Sequence, residues 1–231
     1  MTLAVGAGYH PPEMGKTVLV TEGDSPLGAA LVRMFHAKGF SVATTTPSSG
    51  DGERPASQSD DVRVIPWNRR SPLSARNVLL STLNAFEVLD EVFLLEAPCP
   101  SANALPEAAS AEIERSFDEA KGPVFLAREV LSYFPRRRRG LLAMISFPSA
   151  GSETAVQAAM REGFRGFASS LMAGQNGTGL IVNGFQSSGV AVDEFAEYID
   201  RTLEEKARKI SGHWFVCQPK GFLQGVFPKK A

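Results

Sequence analysis

Seven consecutive residues, Glu22-Gly23-Asp24-Ser25-Pro26-Leu27-Gly28, stand where a chain of this pattern would do chemistry. Before them Thr17 to Thr21 (TVLVT) reads as a short buried strand. After them Leu27, Leu31, Met34 and Phe35 recur at helical spacing up to Gly39. In a nucleotide-binding βα unit this turn is glycine-rich, and its backbone N–H groups face a pyrophosphate at the helix N-terminus. Here Gly23 and Gly28 are kept, but two carboxylates (Glu22, Asp24) and Pro26, which has no N–H, occupy the turn. At an effective dielectric near 20, each carboxylate beside a phosphate costs about 4 kcal/mol. A lost charge-assisted donor adds roughly 1.5–3 kcal/mol. The strand, turn and helix are expected to form and the anion site to be lost.

Other residues offer less. Gly15-Lys16-Thr17 ends like a phosphate-binding P-loop, but His10 stands where the motif needs glycine and the tripeptide precedes a strand. His10, His36 and His213 are scattered, and neither Cys99 nor Cys217 has a ligand-spaced partner, so no metal site is expected. Arg136 to Arg139 reads as a solvated run at a helix C-terminus, where cations favour the dipole, and Arg69-Arg70 as plain surface. Trp67 and Trp214 read as core or interface aromatics. Glu96 and Glu119 offer a carboxylate pair for acid/base work, which we read as drift.

The elements that must position these groups alternate strictly. Strands are expected at Ser41 to Thr45, Val62 to Pro66, Val92 to Leu95, Leu141 to Phe147, Leu180 to Phe185 and His213 to Gln218. Helices are expected at Ser74 to Phe86, Ala108 to Phe134 (disturbed at Gly122-Pro123), Thr154 to Met172, and from an N-cap at Asp193 onward. Residues 1–15 read as a flexible tail, Pro47 to Asp61 as a mobile loop, and 16–231 as one domain. Apolar strands alternating with helices give an α/β fold: a single doubly wound, Rossmann-type parallel sheet with helices on both faces.

Composition sets further limits. With 231 residues and a net charge of −1, the chain carries no global field pointing to nucleic acid or an anionic membrane. Two isolated cysteines suggest a reducing compartment, and no apolar run reaches membrane-spanning length. The N-terminus lacks a signal pattern, so a cytoplasmic protein without a membrane partner is expected.

From about Lys16 onward the chain resembles the short-chain dehydrogenase/reductase family. TEGDSPLG (Thr21 to Gly28) stands where the family has TGxxxGxG, and LLEAP (Leu94 to Pro98) where it has NNAG. LLAMISFPSAG (Leu141 to Gly151) resembles the strand of the catalytic serine, and REGFRGFASSL (Arg161 to Leu171) the helix after YxxxK. IVNGFQSSG (Ile181 to Gly189) and ISGHWFV (Ile210 to Val216) resemble the family's last landmarks. Aligned this way, the tyrosine and lysine positions fall on Gln157 and Arg161, the serine on Phe147 (beside Ser146 and Ser149), and the helix-four asparagine near Glu119. A glutamine amide does not titrate, so it cannot serve as the proton donor. The strand Ser41 to Thr45 ends in threonines, with no acid for ribose hydroxyls. Gly189 runs almost directly into the helix near Asp193, leaving no room for the family's substrate-covering segment.

These departures imply a degenerate member with no catalytic residue and no cofactor: Glu119, Phe147, Gln157 and Arg161 would be vestigial, as would the loop residues Glu22, Gly23, Asp24, Pro26 and Gly28. On that reading the chain is not an enzyme by itself. It would structurally support an active NAD(P)-dependent paralogue acting on a hydroxyacyl- or ketoacyl-CoA type of substrate. Its partner would be that paralogue in a hetero-oligomer, or itself, through the two long helices, their small residues Ala158, Ala159, Gly163 and Gly166, and the tail Phe222 to Phe227. Two alternatives stand beside it: a module binding a small metabolite or acyl-CoA in the emptied pocket, and a non-redox enzyme on the same scaffold.

Overall fold

The apolar runs become the strands Thr17–Val20 (β1), Ser41–Pro47 (β2), Val62–Trp67 (β3), Glu91–Leu95 (β4), Gly140–Ser146 (β5), Leu180–Ser187 (β6) and Trp214–Cys217 (β7). The helices are Pro26–Ala37 (α1), Pro72–Phe86 (α2), Ser110–Arg137 (α3), Ala155–Gly174 (α4) and Val192–Thr202 (α5), the last running into a π-helical turn at Leu203–Ala207. This computed structural model describes residues 15–48, 62–101, 103–137, 139–148, 153–175 and 179–219. The expected tail 1–15 (apart from Gly15), most of the loop from Pro47 to Asp61, Ser149 and the segment Phe222 to Phe227 lie outside them.

Among the described residues every strand pairing is parallel, in the order β3-β2-β1-β4-β5-β6-β7. Both faces are covered, which is why β1 and β4 are buried along their whole length. On one face α1 and α5 pack over Val18, Val20, Phe93 and Phe185, with Phe35 and Phe195 as the large buried side chains. On the other, α2, α3 and α4 cover Leu19, Leu94, Leu142 and Met144. The expected doubly wound sheet is therefore present.

Local chemistry sets the helix ends. Ser25 and Ser71 cap α1 and α2 by accepting the N–H of Gly28 and Ser74, each followed by proline at the first helical position. Two expectations are corrected. Ala191, not Asp193, caps α5; Asp193 falls in its first turn, where its charge still favours the dipole. And α3 continues through Gly122-Pro123: the missing N–H of Pro123 costs one intrahelical bond, but burial of Leu126, Ala127, Val130 and Phe134 holds the second half in line. Of the arginine run, Arg136 and Arg137 lie in the last turn of α3 and Arg139 lies beside Asp90 at 3.5 Å; Arg138 is outside the described residues.

Gly28 fixes the seat of α1 on β1. A Cβ there would meet the Glu22 carbonyl oxygen at 1.9 Å, a backbone atom with nowhere to go. Gly28→Ala is expected to lower stability by about 1–3 kcal/mol in urea unfolding. Gly166→Ala, where a Cβ meets nothing within 4 Å, is the control and is expected to gain up to about 1 kcal/mol.

Candidate functional site

The strand order reverses between β1 and β4, and open α/β sheets bind ligands in the crevice at such a point. A cleft of about 600 Å³ lies there. The β1–α1 loop supplies Glu22 and Asp24, and the start of α1 Pro26 and Leu27; the segment after β4 supplies Glu96 to Cys99; Phe147, Glu153, Gln157 and Val192 also line it.

The loop is built inward. Glu22 adopts a positive φ of 58°, and its N–H donates to Thr45 Oγ1 at 3.1 Å. The N–H of Gly23 donates to the Thr45 carbonyl at 2.8 Å and that of Ser25 to the Glu22 carbonyl at 2.9 Å. The N–H of Gly28 donates to Ser25 Oγ at 3.0 Å. Pro26 has none. Gly23 is glycine because a Cβ would meet Thr44 Oγ1 at 2.1 Å. Asp24 is exposed at the rim.

Glu22 does not bear on the cleft as a bare charge, which corrects the repulsion expected from sequence. It is 3% exposed and forms a two-point ion pair with Arg69, whose Nε donates to Oε1 at 2.7 Å and whose Nη2 donates to Oε2. Arg69 Nη1 reaches Glu119 Oε2 at 3.2 Å, and the guanidinium carbon lies 5.6 Å from the Trp67 ring centre. Burial pushes the Glu22 carboxyl up, against the pull of Arg69. Burial also works against the Arg69 charge, but hydrogen bonds to Glu22 and Glu119 outweigh it and raise the guanidinium pKa. So Arg69 is not plain surface: it is 6% exposed and ties the β1 loop to α3. Gly122 makes room for it, since a Cβ there would meet Arg69 Cβ at 2.6 Å.

Glu96 is the first residue after β4, where the sheet's buried edge opens into the cleft. Ser146 Oγ donates to its Oε2 at 2.9 Å, and the Phe147 N–H donates to Oε1 at 3.1 Å. Burial raises its pKa to about 7, against these two hydrogen bonds and the charge of Arg161. The Glu96–Glu119 pair considered from sequence does not form; each acid is held by other partners, Ser146 and Phe147 in one case, Arg69 in the other.

The remaining sequence candidates are placed as follows. Gln157 lines the cleft, but its Oε1 accepts the N–H of Thr154 in a capping box that starts α4. Arg161 pairs with Glu153 and, at 3.5 Å, with Glu162. The Phe147 ring stacks on Phe195 with centres 5.6 Å apart. Cys99 Sγ donates to Ser116 Oγ at 3.4 Å. Among the described residues no cluster of His, Cys, Asp or Glu fits a metal ion, and no helix is long and apolar enough to cross a membrane. Two features escaped the sequence reading: the Glu96–Ser146 pair, which joins residues 50 apart, and the burial of Arg69.

No family model matches the chain, and no curated protein matches it. Solved structures do. One is a 3-ketoacyl-(acyl-carrier-protein) reductase from Brucella melitensis complexed with NADH: TM-score 0.76, 14% identity, covering 89% of this chain and 97% of that one. Another is a Serratia marcescens short-chain dehydrogenase/reductase variant: TM-score 0.69, 17% identity, covering 90% and 98%. This likeness to reductases overturns the expectation of a chain that is not an enzyme. The cleft itself holds the carboxyl of Glu96, which burial raises to about 7. The chain has the fold of these short-chain dehydrogenase/reductase structures.

Proposed function

We propose that this chain is an enzyme that moves a proton on a small molecule held in the β1–β4 cleft, with Glu96 as its acid/base group. The observation that carries the reading is the Glu96 carboxyl, half-buried in the cleft beside Ser146 and raised to about 7. A group with that value is close to half protonated near neutral pH, where general acid/base catalysis is most effective. As carboxylate, Glu96 takes a proton from carbon next to a carbonyl, leaving an enolate; as acid, it returns the proton to that carbon or, in a hydroxyketone, to the former carbonyl carbon while the hydroxyl proton passes to the former carbonyl oxygen. The net change is isomerisation or exchange, and no electron is gained or lost.

The fold implies a nicotinamide dinucleotide, and the residues present do not fit one. The N–H groups of Glu22, Gly23, Ser25 and Gly28 are spent within the protein, Pro26 has none, and Asp24 adds a charge at the rim. A pyrophosphate finds too few donors to replace its hydration. Hence the proposed step is routed through Glu96 alone.

The test uses two measurements on one preparation. Small ketones, hydroxyketones and aldehydes are incubated with the protein in D2O near neutral pH, and loss of the C–H signal beside the carbonyl is followed by proton NMR. Catalysed exchange is expected for at least one compound. Calorimetric titration with NADH and NADPH is expected to show no binding tighter than about 1 mM. Hydride turnover by the chain alone, or micromolar binding of either nucleotide, would overturn the reading.

A further inference from the structure

The β1–β4 cleft joins apolar walls to charge of one sign. Leu27, Leu95, Ile145, Phe147 and Val192 are among its walls. None of the described residues lining it is Lys, Arg or His; Glu22, Asp24, Glu96 and Glu153 are there instead. We infer that the molecule held in this cleft is a small organic cation, a carbonyl compound that carries an ammonium group, with its apolar part against Phe147 and its charge toward Asp24. The inference rests on the proposed acid/base role of Glu96 and adds the class of substrate.

The four acids differ in what they offer. Glu22 is neutralised by Arg69 and adds little field. Glu153 shares its charge with Arg161, yet the carboxylate and not the guanidinium lines the cleft. Asp24 is exposed at the rim, and among the described residues no cation pairs with it. Asp24 before α1 and Glu153 before α4 thus bring negative charge to the cleft from two elements. The backbone N–H groups that would receive an anion are spent inside the β1 loop. An anion meets repulsion here without compensating donors, and a cation meets attraction. Phe147 adds an aromatic wall: its ring is half-buried in the lining and backed by Phe195. An ammonium group over such a ring gains from the ring's negative face, more so where water is partly excluded. Among the described residues no acids gather closely enough to hold a metal ion, so the charge that suits the cleft is carried on an organic body. The volume of about 600 Å³ has room for one. The ammonium also serves the chemistry, because its positive charge stabilises the enolate and so eases removal of the C–H proton by Glu96.

Three probes of nearly one shape separate charge from size: 4-fluorobenzylamine, 4-fluorobenzyl alcohol and 4-fluorobenzoate. Each is followed by its fluorine resonance at pH 7 and low salt while the full chain is titrated. The amine is expected to give a saturable shift and to bind about tenfold tighter than the alcohol. The benzoate is expected to give no saturable shift. Asp24→Asn, close in shape to the wild type, should weaken the amine about threefold and leave the alcohol unchanged. Asp24→Lys should remove the amine's advantage. Glu114→Lys makes the same change of charge at an exposed position outside the cleft lining and should keep that advantage. Circular dichroism checks that each variant is folded. Equal affinity for amine and alcohol, tightest binding of the benzoate, or an advantage untouched by Asp24→Asn would overturn the inference. So would a Glu114→Lys variant as damaged as Asp24→Lys. Glu96→Gln separates the two readings. If only the choice of a cation is wrong, Glu96→Gln still abolishes proton exchange while amine and alcohol bind alike. If only the acid/base role is wrong, Glu96→Gln leaves exchange intact while the amine still binds tighter and still depends on Asp24.

Discussion

Glu96→Gln is expected to lower the rate of proton exchange by about 10²–10⁴-fold while the protein stays folded. The amide matches the carboxyl in shape: its oxygen still accepts the Phe147 N–H, and its NH2 still meets Ser146 Oγ. What it loses is the ability to take or give a proton. Folding should not suffer, and the sign can be worked out. Glu96 has an ordinary value of 4.5 when unfolded and about 7 when native. Between these values the native chain holds more protons than the unfolded one, so ionisation of Glu96 removes stability as pH rises from 4.5 to 7 and no more beyond. The whole effect is up to about 3 kcal/mol. The variant should therefore equal the wild type near pH 4.5 and exceed it at pH 8 in urea unfolding. A variant that loses exchange and stability together would point to a structural role for the carboxyl.

Arg69→Ala is expected to cost about 3–5 kcal/mol, because it leaves Glu22 and Glu119 facing each other without the cation between them. Protonating Glu22 relieves part of that penalty, so the loss measured by urea unfolding should be smaller at pH 4 than at pH 8. Replacing both members of the inner pair, Arg69→Met with Glu22→Leu, should recover most of it, since well-packed apolar residues can replace a buried pair at little cost. A loss below about 1 kcal/mol is what an exposed arginine would give and would contradict the buried network.

What was legible in the sequence was whatever local pattern decides. Continuous apolar runs marked the strands, because periodicity acts over a few residues; the start of α2 was read at Ser74, two residues late, although the Ser71-Pro72 cap is a local signal. The capping box Thr154…Gln157 was equally visible in spacing, although Gln157 was weighed only as a lost tyrosine. Arg69 was not legible. An Arg-Arg pair after a strand looks like surface, and its burial depends on α3 crossing at Gly122 and presenting Glu119, a contact 50 residues away. Glu96 was half legible. Its place at the end of a buried strand was readable, but the raised pKa comes from burial, which outweighs the hydrogen bonds from Ser146 and Phe147 at the end of a neighbouring strand. The same distance effect reversed the reading of Glu22, which was counted as a repelling charge and is neutralised by a partner 47 residues away.

Titration of the Glu96 carboxyl is the most direct measure of the account. With carboxyl carbons of glutamate labelled with ¹³C in the full chain, the resonance missing from Glu96→Gln identifies the group, and its shift is followed from pH 3 to 9. A midpoint near 7 is the predicted result. A midpoint at the ordinary glutamate value of 4.5 would leave the cleft without a group poised for proton transfer and would contradict the account.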